Sequence, residues 1–280
     1  MNSKSISLVV FTCEGREHLL NKTLASAEQR LEYDFSKRIL AVDGNIDFSQ
    51  IDQSSFDTII RVTKRSGYIN SIIYVNQIVR TDFFFWLEDD WHFLEIADLE
   101  YLVTLLRQNP EWVQIRFSKT GPLNEHEKQN KLCEGVYDSV YGFSANPCLC
   151  RTDLIRKGFQ SLQQESRDEN LGFETFLSQW FEDQKLICAV LDPGEKAAIQ
   201  HLGYLESTPR QWHMTASLDG KTDKYLSGMR GSPSPPLWRK ILMAYKLIWT
   251  FVRVLLCQFM SREAYDLAFR FIAASKEVKN

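Results

Sequence analysis

Strand-like runs and segments of helical period alternate along the first half of this 280-residue chain, and that alternation limits the fold more than any single motif does. Residues 5–11 (SISLVVF), 37–45 (KRILAVDGN), 56–63 (FDTIIRVT), 82–87 (DFFFWL) and 111–118 (EWVQIRFS) are β-branched or aromatic and predict strands. Between them, residues 16–31 place Leu19, Leu20, Thr23, Leu24 and Ala27 at helical spacing. Residues 67–79 do the same with Ile69, Ile72, Ile73, Val75 and Val79, and a third helix over 96–110 is stopped by Pro110. Strands separated by helices of this length predict an α/β fold, a mostly parallel sheet with helices on both faces.

The second half is less regular. Residues 121–136 are polar and predict a loop; 141–158 predict a strand, a proline turn and a short helix. A helix is expected over 172–184, with Phe173, Phe176, Leu177, Trp180 and Phe181 on one face, then a strand over 186–194. Residues 205–236 hold Gly220, Gly228, Gly231, Pro233, Pro235 and Pro236, the composition of a lid or a disordered segment. The expected division is therefore an α/β domain over 1–205, a flexible loop or lid over 206–236 and a basic, apolar helical tail over 237–280.

A hydrophobic fraction of 44% with 25% charged residues is that of a soluble globular protein, and a net charge of −3 argues against a general nucleic-acid binder. The charge is unevenly spread. From Ser232 onward eight basic residues face three acidic ones, so an acidic body carries a basic tail. Six cysteines without a C-x-x-C pair indicate a reducing compartment, with no disulfide framework and no zinc knuckle. The N-terminal residues lack the long apolar stretch of a secretory signal, so a cytoplasmic location is expected.

One stretch concentrates the chemistry. Residues 82–93 read DFFFWLEDDWHF, an apolar strand running directly into Glu88, Asp89 and Asp90. Three adjacent carboxylates repel one another and need donors or a cation to settle them. Ligands of open α/β sheets bind beyond the carboxyl ends of the strands. Thr12, Cys13, Glu14, Gly15 and Arg16 fall at that edge after the first strand, Asp43 after the second, Lys64 and Arg65 after the third and the acidic triplet after the fourth. Four strands thus converge polar groups on one edge, which a set of solvated turns does not explain. No G-x-x-x-x-G-K-[ST], G-x-G-x-x-G, H-E-x-x-H or G-x-S-x-G is present, so P-loop, dinucleotide, zincin and hydrolase readings lose their main support.

The ordered set of LVVFTCEGR, AVDGN, the acidic triplet and IQHLG, spread over residues 5–205, resembles the GT-A fold glycosyltransferases, nearest the family 2-like nucleotide-diphospho-sugar transferases. The resemblance implies an inverting, metal-dependent hexosyl transfer from a UDP- or GDP-linked donor to a hydroxyl of a saccharide or lipid-linked acceptor. It implies Mn²⁺ or Mg²⁺, hard ions suited to oxygen ligands, held by Asp90 with His201. Glu88 and Asp90 stand at the two acidic positions of the family's D-x-D-type motif, with a glutamate where aspartate is commoner. Donor contacts are implied for Thr12, Glu14, Arg16, Asp43, Lys64, Arg65, Glu88 and Asp89. Glu174, at the start of its helix, is implied as the base, with Glu165, Asp168, Glu169 and Glu182 as rivals. The Q-x-x-R-W signature of processive synthases is missing, which favours transfer of a single sugar. Two other readings remain: a sugar-1-phosphate nucleotidyltransferase, which needs a glycine-rich basic first loop where TCEGR has one glycine, and a non-catalytic, membrane-docked sugar-nucleotide-binding module.

The tail bears on location. Residues 236–260 are apolar but carry Arg239, Lys246 and Arg253 at seven-residue spacing, which aligns them in one stripe on a helix. Such charges disfavour a spanning helix and suit one lying in the interface, so a peripheral position on the inner face of a membrane is expected. The competing placement is a helix packed on the domain or on a second subunit. Flotation with anionic liposomes is expected, weakened by salt and by changing all three basic residues to Glu; a protein that never floats with such liposomes places the helix against protein instead.

Overall fold

The most buried strand explains the architecture. In a computed structural model of the chain, residues 6–62, 67–119, 121–164 and 172–202 are described, all within the unit Met1–Tyr225. Strand β4 (Phe83–Glu88) is apolar at every position but its last, and Phe83, Phe84, Phe85, Trp86 and Leu87 are all 2% exposed or less. Such a strand is stable only when layers cover both of its faces, at about 1.5–3 kcal/mol for each large side chain.

The covering layers come from the crossover helices. Strands β1 (Ile6–Cys13), β2 (Lys37–Asp43), β3 (Thr58–Val62) and β4 are parallel, in the spatial order β3-β2-β1-β4. Helices α1 (Glu17–Arg30) and α3 (Leu99–Gln108) cover the face bearing Leu8, Val10, Phe85 and Leu87. Helices α2 (Tyr68–Ile78), α4 (Thr152–Gln164) and α5 (Phe173–Asp183) cover the other, with Val9, Phe11, Phe84 and Trp86. Aspartates in two short turns, Asp47 and Asp52, cap 3-10 segments at 48–50 and 53–55 that link β2 to β3.

Beyond β4 the sheet continues through β9 (Cys148–Arg151), β6 (Trp112–Phe117), β10 (Ile187–Leu191), β8 (Val136–Asp138) and β7 (Lys131–Cys133). Strand β9 is antiparallel to both β4 and β6, and β8 is antiparallel to both neighbours; the other seven strands share one direction. A second, two-stranded sheet pairs β5 (Trp91–Phe93) with β11 (Ile199–His201).

The α/β sheet and the five helices agree with expectation, and several local features differ. The segment 121–136 is not wholly a loop: β7 and the first residue of β8 stand in it, joined through Gly135 at φ +70°. The strand expected before Pro147 lies after it, since Phe143 and Ala145 are buried as loop residues against α5 while Cys148, Leu149 and Cys150 fill the gap between β4 and β6. Strand β5 has too few residues to show a period and is stabilised by a distant partner. The tail and the 205–236 segment lie outside the described residues, as do Lys64, Arg65, Glu165, Asp168 and Glu169. No helix among the described residues is long and apolar enough to cross a membrane.

The loop between β8 and β9 is shaped by Gly142, at φ +65°. A Cβ there would lie 2.5 Å from Ser178 Oγ of α5, whose hydroxyl accepts the Phe143 N–H at 2.9 Å. Left-handed backbone and overlap act together, so Gly142→Ala is expected to lower stability by about 2–4 kcal/mol, read as a fall in denaturation midpoint at constant m-value.

Candidate functional site

Each carboxylate of the triplet that ends β4 is settled differently. Asp89 is 4% exposed. Its Oδ2 accepts the Thr12 hydroxyl at 2.7 Å and its Oδ1 the Arg16 Nε–H at 2.8 Å. Burial pushes its carboxyl up to about 6, while the Arg16 charge and the Thr12 bond hold it from rising further. The backbone here is also tied: Thr23 Oγ1 of α1 donates to Asp89 O at 2.7 Å and accepts the Trp91 N–H at 3.1 Å.

Asp90 faces the edge. Its Oδ2 meets His201 Nε2 at 2.9 Å and also takes a bond from Arg16. Burial opposes ionisation of Asp90, yet the His201 bond and the Arg16 charge outweigh it and keep the carboxyl below its ordinary value. Pairing of β11 with β5 fixes His201: His201 is opposite Trp91, Leu202 N donates to Asp90 O at 2.7 Å, and the His201 and Trp91 rings lie 4.7 Å apart. The Arg16 guanidinium loses hydration by burial, but Asp89 and Asp90 more than compensate and raise its pKa.

Glu88 turns into the other layer. Its Oε1 accepts the Tyr68 hydroxyl at 2.6 Å and its Oε2 the Trp91 Nε1–H at 3.3 Å. Burial, followed by the Asp90 charge, pushes Glu88 up to about 8, and the bonds from Tyr68 and Trp91 restrain the rise. The Glu174 charge contributes to the same upward push, as it does for the neighbouring Tyr68 hydroxyl. That influence ties the first turn of α5 electrostatically to the triplet.

Glu174 is partly buried and held through one oxygen. Its Oε1 accepts Ala145 N–H at 2.7 Å and the Ser144 hydroxyl at 3.1 Å, which leaves Oε2 to receive a proton. Asp43 is 4% exposed and its Oδ2 accepts the Gly67 N–H at 3.2 Å, fixing the entry to α2. Glu14 Oε2 lies over Gly44 and accepts Asn45 N–H at 3.4 Å. The structure therefore brings Thr12, Arg16, Glu88, Asp89, Asp90 and His201 into one connected network. Glu174 stands beside this network, Asp43 and Glu14 form a neighbouring cluster, and Glu182, a rival for the base, lies at the far end of α5.

Tyr68, Trp91, Ser144 and Ala145 were not singled out in the sequence, and Thr23 only as part of the apolar spacing of α1, not as a polar partner of the site. Each acts through a contact far along the chain, and only Trp91, directly after the triplet, carried a local signal.

Divalent-cation chemistry can be tested against this donor set. Asp90 and His201 converge within 2.9 Å and offer one carboxylate and one imidazole, while Glu88 is committed to Tyr68 and Trp91. No group of three His, Cys, Asp or Glu in ligating arrangement occurs among the described residues. Ions of the Mg²⁺ and Mn²⁺ kind are commonly held by one or two protein ligands with substrate phosphates completing the shell, so the pair fits such an ion. Arg16 supplies the positive charge that Asp90 meets within the protein itself.

No protein-family model and no curated protein matches the chain in sequence. Its fold is found in solved structures. The crystal structure of GalNAc-T7 with UDP, GalNAc and Mn²⁺ matches 71% of this chain at a TM-score of 0.51 and 13% identity. S. aureus TarS matches 70% at 0.51 and 12% identity, and S. aureus TarS 1-349 matches 71% at 0.50 and 12%. The match covers 44%, 36% and 60% of those chains, respectively. At these identities the likeness is one of fold, and the fold is GT-A.

The network predicts its own fragility. Arg16→Gln leaves Asp89 and Asp90 buried without their cation and is expected to destabilise the protein by about 3–5 kcal/mol. Adding Asp89→Asn should recover part of that loss in a double-mutant cycle; strict additivity would show that the ion pair carries no coupling.

Proposed function

We propose that this chain is a non-processive glycosyltransferase that moves one hexosyl group from a nucleotide-diphospho-sugar to an acceptor hydroxyl with inversion. The observation that carries the reading is the pairing of Asp90 with His201 at the carboxyl edge of the sheet, with Glu174 in the first turn of α5 electrostatically linked to the same cluster. The GT-A fold adds support, and the solved neighbour that contains UDP and Mn²⁺ is consistent with a nucleotide donor.

Asp90 and His201 would hold Mn²⁺ or Mg²⁺; such an ion, when bound, offsets the charge developing on the departing diphosphate. Arg16 holds Asp89 and Asp90 in place from the first loop, and Thr12 fixes Asp89. Asp43 and Glu14 stand where a nucleoside would enter between β1 and β2, with Lys64 and Arg65 proposed to join them. Glu174 takes the proton of the acceptor hydroxyl on Oε2 as the oxygen bonds to the anomeric carbon; the bond to the diphosphate breaks and its electron pair leaves with the diphosphate. Ser144 and Ala145 keep Oε1 occupied, so the carboxylate has one orientation at no further entropic cost. A membrane-surface location through residues 237–260 would suit a lipid-linked acceptor.

Two variants test the assignment. Asp90→Asn is expected to abolish Mn²⁺-dependent calorimetric binding of UDP- or GDP-sugars with folding retained. Glu174→Gln is expected to cut turnover by about 10²–10⁴-fold with donor affinity kept. Unchanged affinity in the first variant sinks the cation site, and full turnover in the second moves the base to Asp168 or Glu169. Absence of any sugar-nucleotide hydrolysis or transfer in the parent protein would favour a non-catalytic binding module.

A further inference from the structure

Arg116 occupies the penultimate position of β6, with Cys148 of β9 on one side and Val190 of β10 on the other, and is 5% exposed. A guanidinium offers five N–H donors. Here one nitrogen donates to Ser139 Oγ at 3.1 Å, and the buried Nε–H has no acceptor. Burial lowers its pKa; the Glu127 charge opposes this most among the carboxylates and that of Glu174 less, yet neither forms an ion pair with it. Arg16, at the same edge of the sheet, pairs with two aspartates. A buried, unpaired arginine is strongly destabilising, and leaving buried donors without acceptors is rare in folded proteins.

A second donor repeats the pattern. Phe117 N donates to Pro147 O at 2.9 Å, which sets Asn146 at the end of β6, one step nearer the edge. Asn146 is 6% exposed and its Nδ2 is buried without an acceptor. The two residues before it, Ser144 and Ala145, are those that hold Glu174. Asn146 thus follows directly on the residues that hold Glu174, and the Glu174 charge acts on Arg116, so both unsatisfied donors belong to the surroundings of the carboxylate assigned to the acceptor. They are separated from the Asp90 and His201 pair by the width of β9, about two strand spacings or roughly 10 Å from β4 to β6.

We propose that Arg116, with Asn146, forms an anion subsite for a carboxylate or phosphate carried by the acceptor saccharide, so that the chain selects acidic over neutral acceptors. The proposal rests on reading Glu174 as the base. A planar guanidinium and a side-chain amide match the two oxygens of such a group, and the position across β9 separates it from the donor diphosphate.

The test uses the full chain, free glucuronate, glucose 6-phosphate and glucose as probes, and melting temperature as the readout. Glucuronate or glucose 6-phosphate is expected to raise the melting temperature where glucose does not. Arg116→Met should melt a few degrees higher than the parent without any sugar and lose this response; Arg116→Lys, which keeps the charge without the fork, should weaken it about 10-fold. With whichever nucleotide sugar the protein hydrolyses, transfer to phenyl β-glucuronide over phenyl β-glucoside should fall about 10- to 100-fold in Arg116→Met while acceptor-free hydrolysis is kept. No response of the parent to either acidic sugar, or an equal response in Arg116→Met, overturns the subsite. So does a lower melting temperature in Arg116→Met with the acceptor preference retained. Competition between glucuronate and the nucleotide sugar would assign the anion to the donor and overturn the acceptor assignment. An Arg116-dependent response to acidic sugars in a protein that hydrolyses no nucleotide sugar keeps the subsite and removes the transferase reading.

Discussion

A strand buried on both faces that ends in three carboxylates sets the problem that the rest of this structure solves. Strand β4 cannot be moved toward water without losing the aromatic contacts of both cores, including Trp86 with Phe11 and Phe85 with Phe117. The charges must therefore be settled where they emerge. Asp89 is met by the first loop, Asp90 by His201 and Arg16, and Glu88 by the Tyr68 hydroxyl and the Trp91 indole. Each solution recruits a different part of the chain, so the loop after β1, the Thr23 side of α1, the start of α2 and the β5–β11 pair are all positioned by one acidic triplet.

The reversal at β9 is the second organising feature. Inserting an antiparallel strand between β4 and β6 brings the 143–146 segment to the same edge as the triplet, and α5 packs over it. Ser144 and Ala145 then reach Glu174, and Ser178 of the same helix accepts from Phe143. A wholly parallel sheet would have delivered a crossover helix at this place instead of a loop carrying donors. The surroundings of Glu174 are thus built by the irregular half of the sheet, and those of the acidic triplet start from its regular half.

The electrostatics of the two halves contrast. Around Asp90 every charge has a partner within the protein, so a ligand there exchanges one set of contacts for another. Around Arg116 and Asn146 donors stand without acceptors, and a ligand would satisfy what folding leaves open. A site that keeps such groups gives up stability for recognition, the usual relation between stability and function.

Local pattern determined the layers. The period of the apolar residues in α1, α2 and α3, and the apolar run of β4, are set by neighbours within a few positions, so the α/β class, the order of the first elements and the acidic edge were legible in the sequence. Glu88, Asp89 and Asp90 could be named because three adjacent carboxylates end an apolar strand, whereas His201 and Glu174 were named only through the family resemblance. What only the tertiary structure decided were the partners: Arg16 turned onto Asp89 and Asp90 and not left to solvent, Tyr68 on Glu88, β9 reversed after Pro147, and Arg116 buried without a direct ion pair. These depend on contacts between residues 20 to 74 positions apart, and no period or local composition encodes a pairing whose energy arises only once distant strands have been brought together.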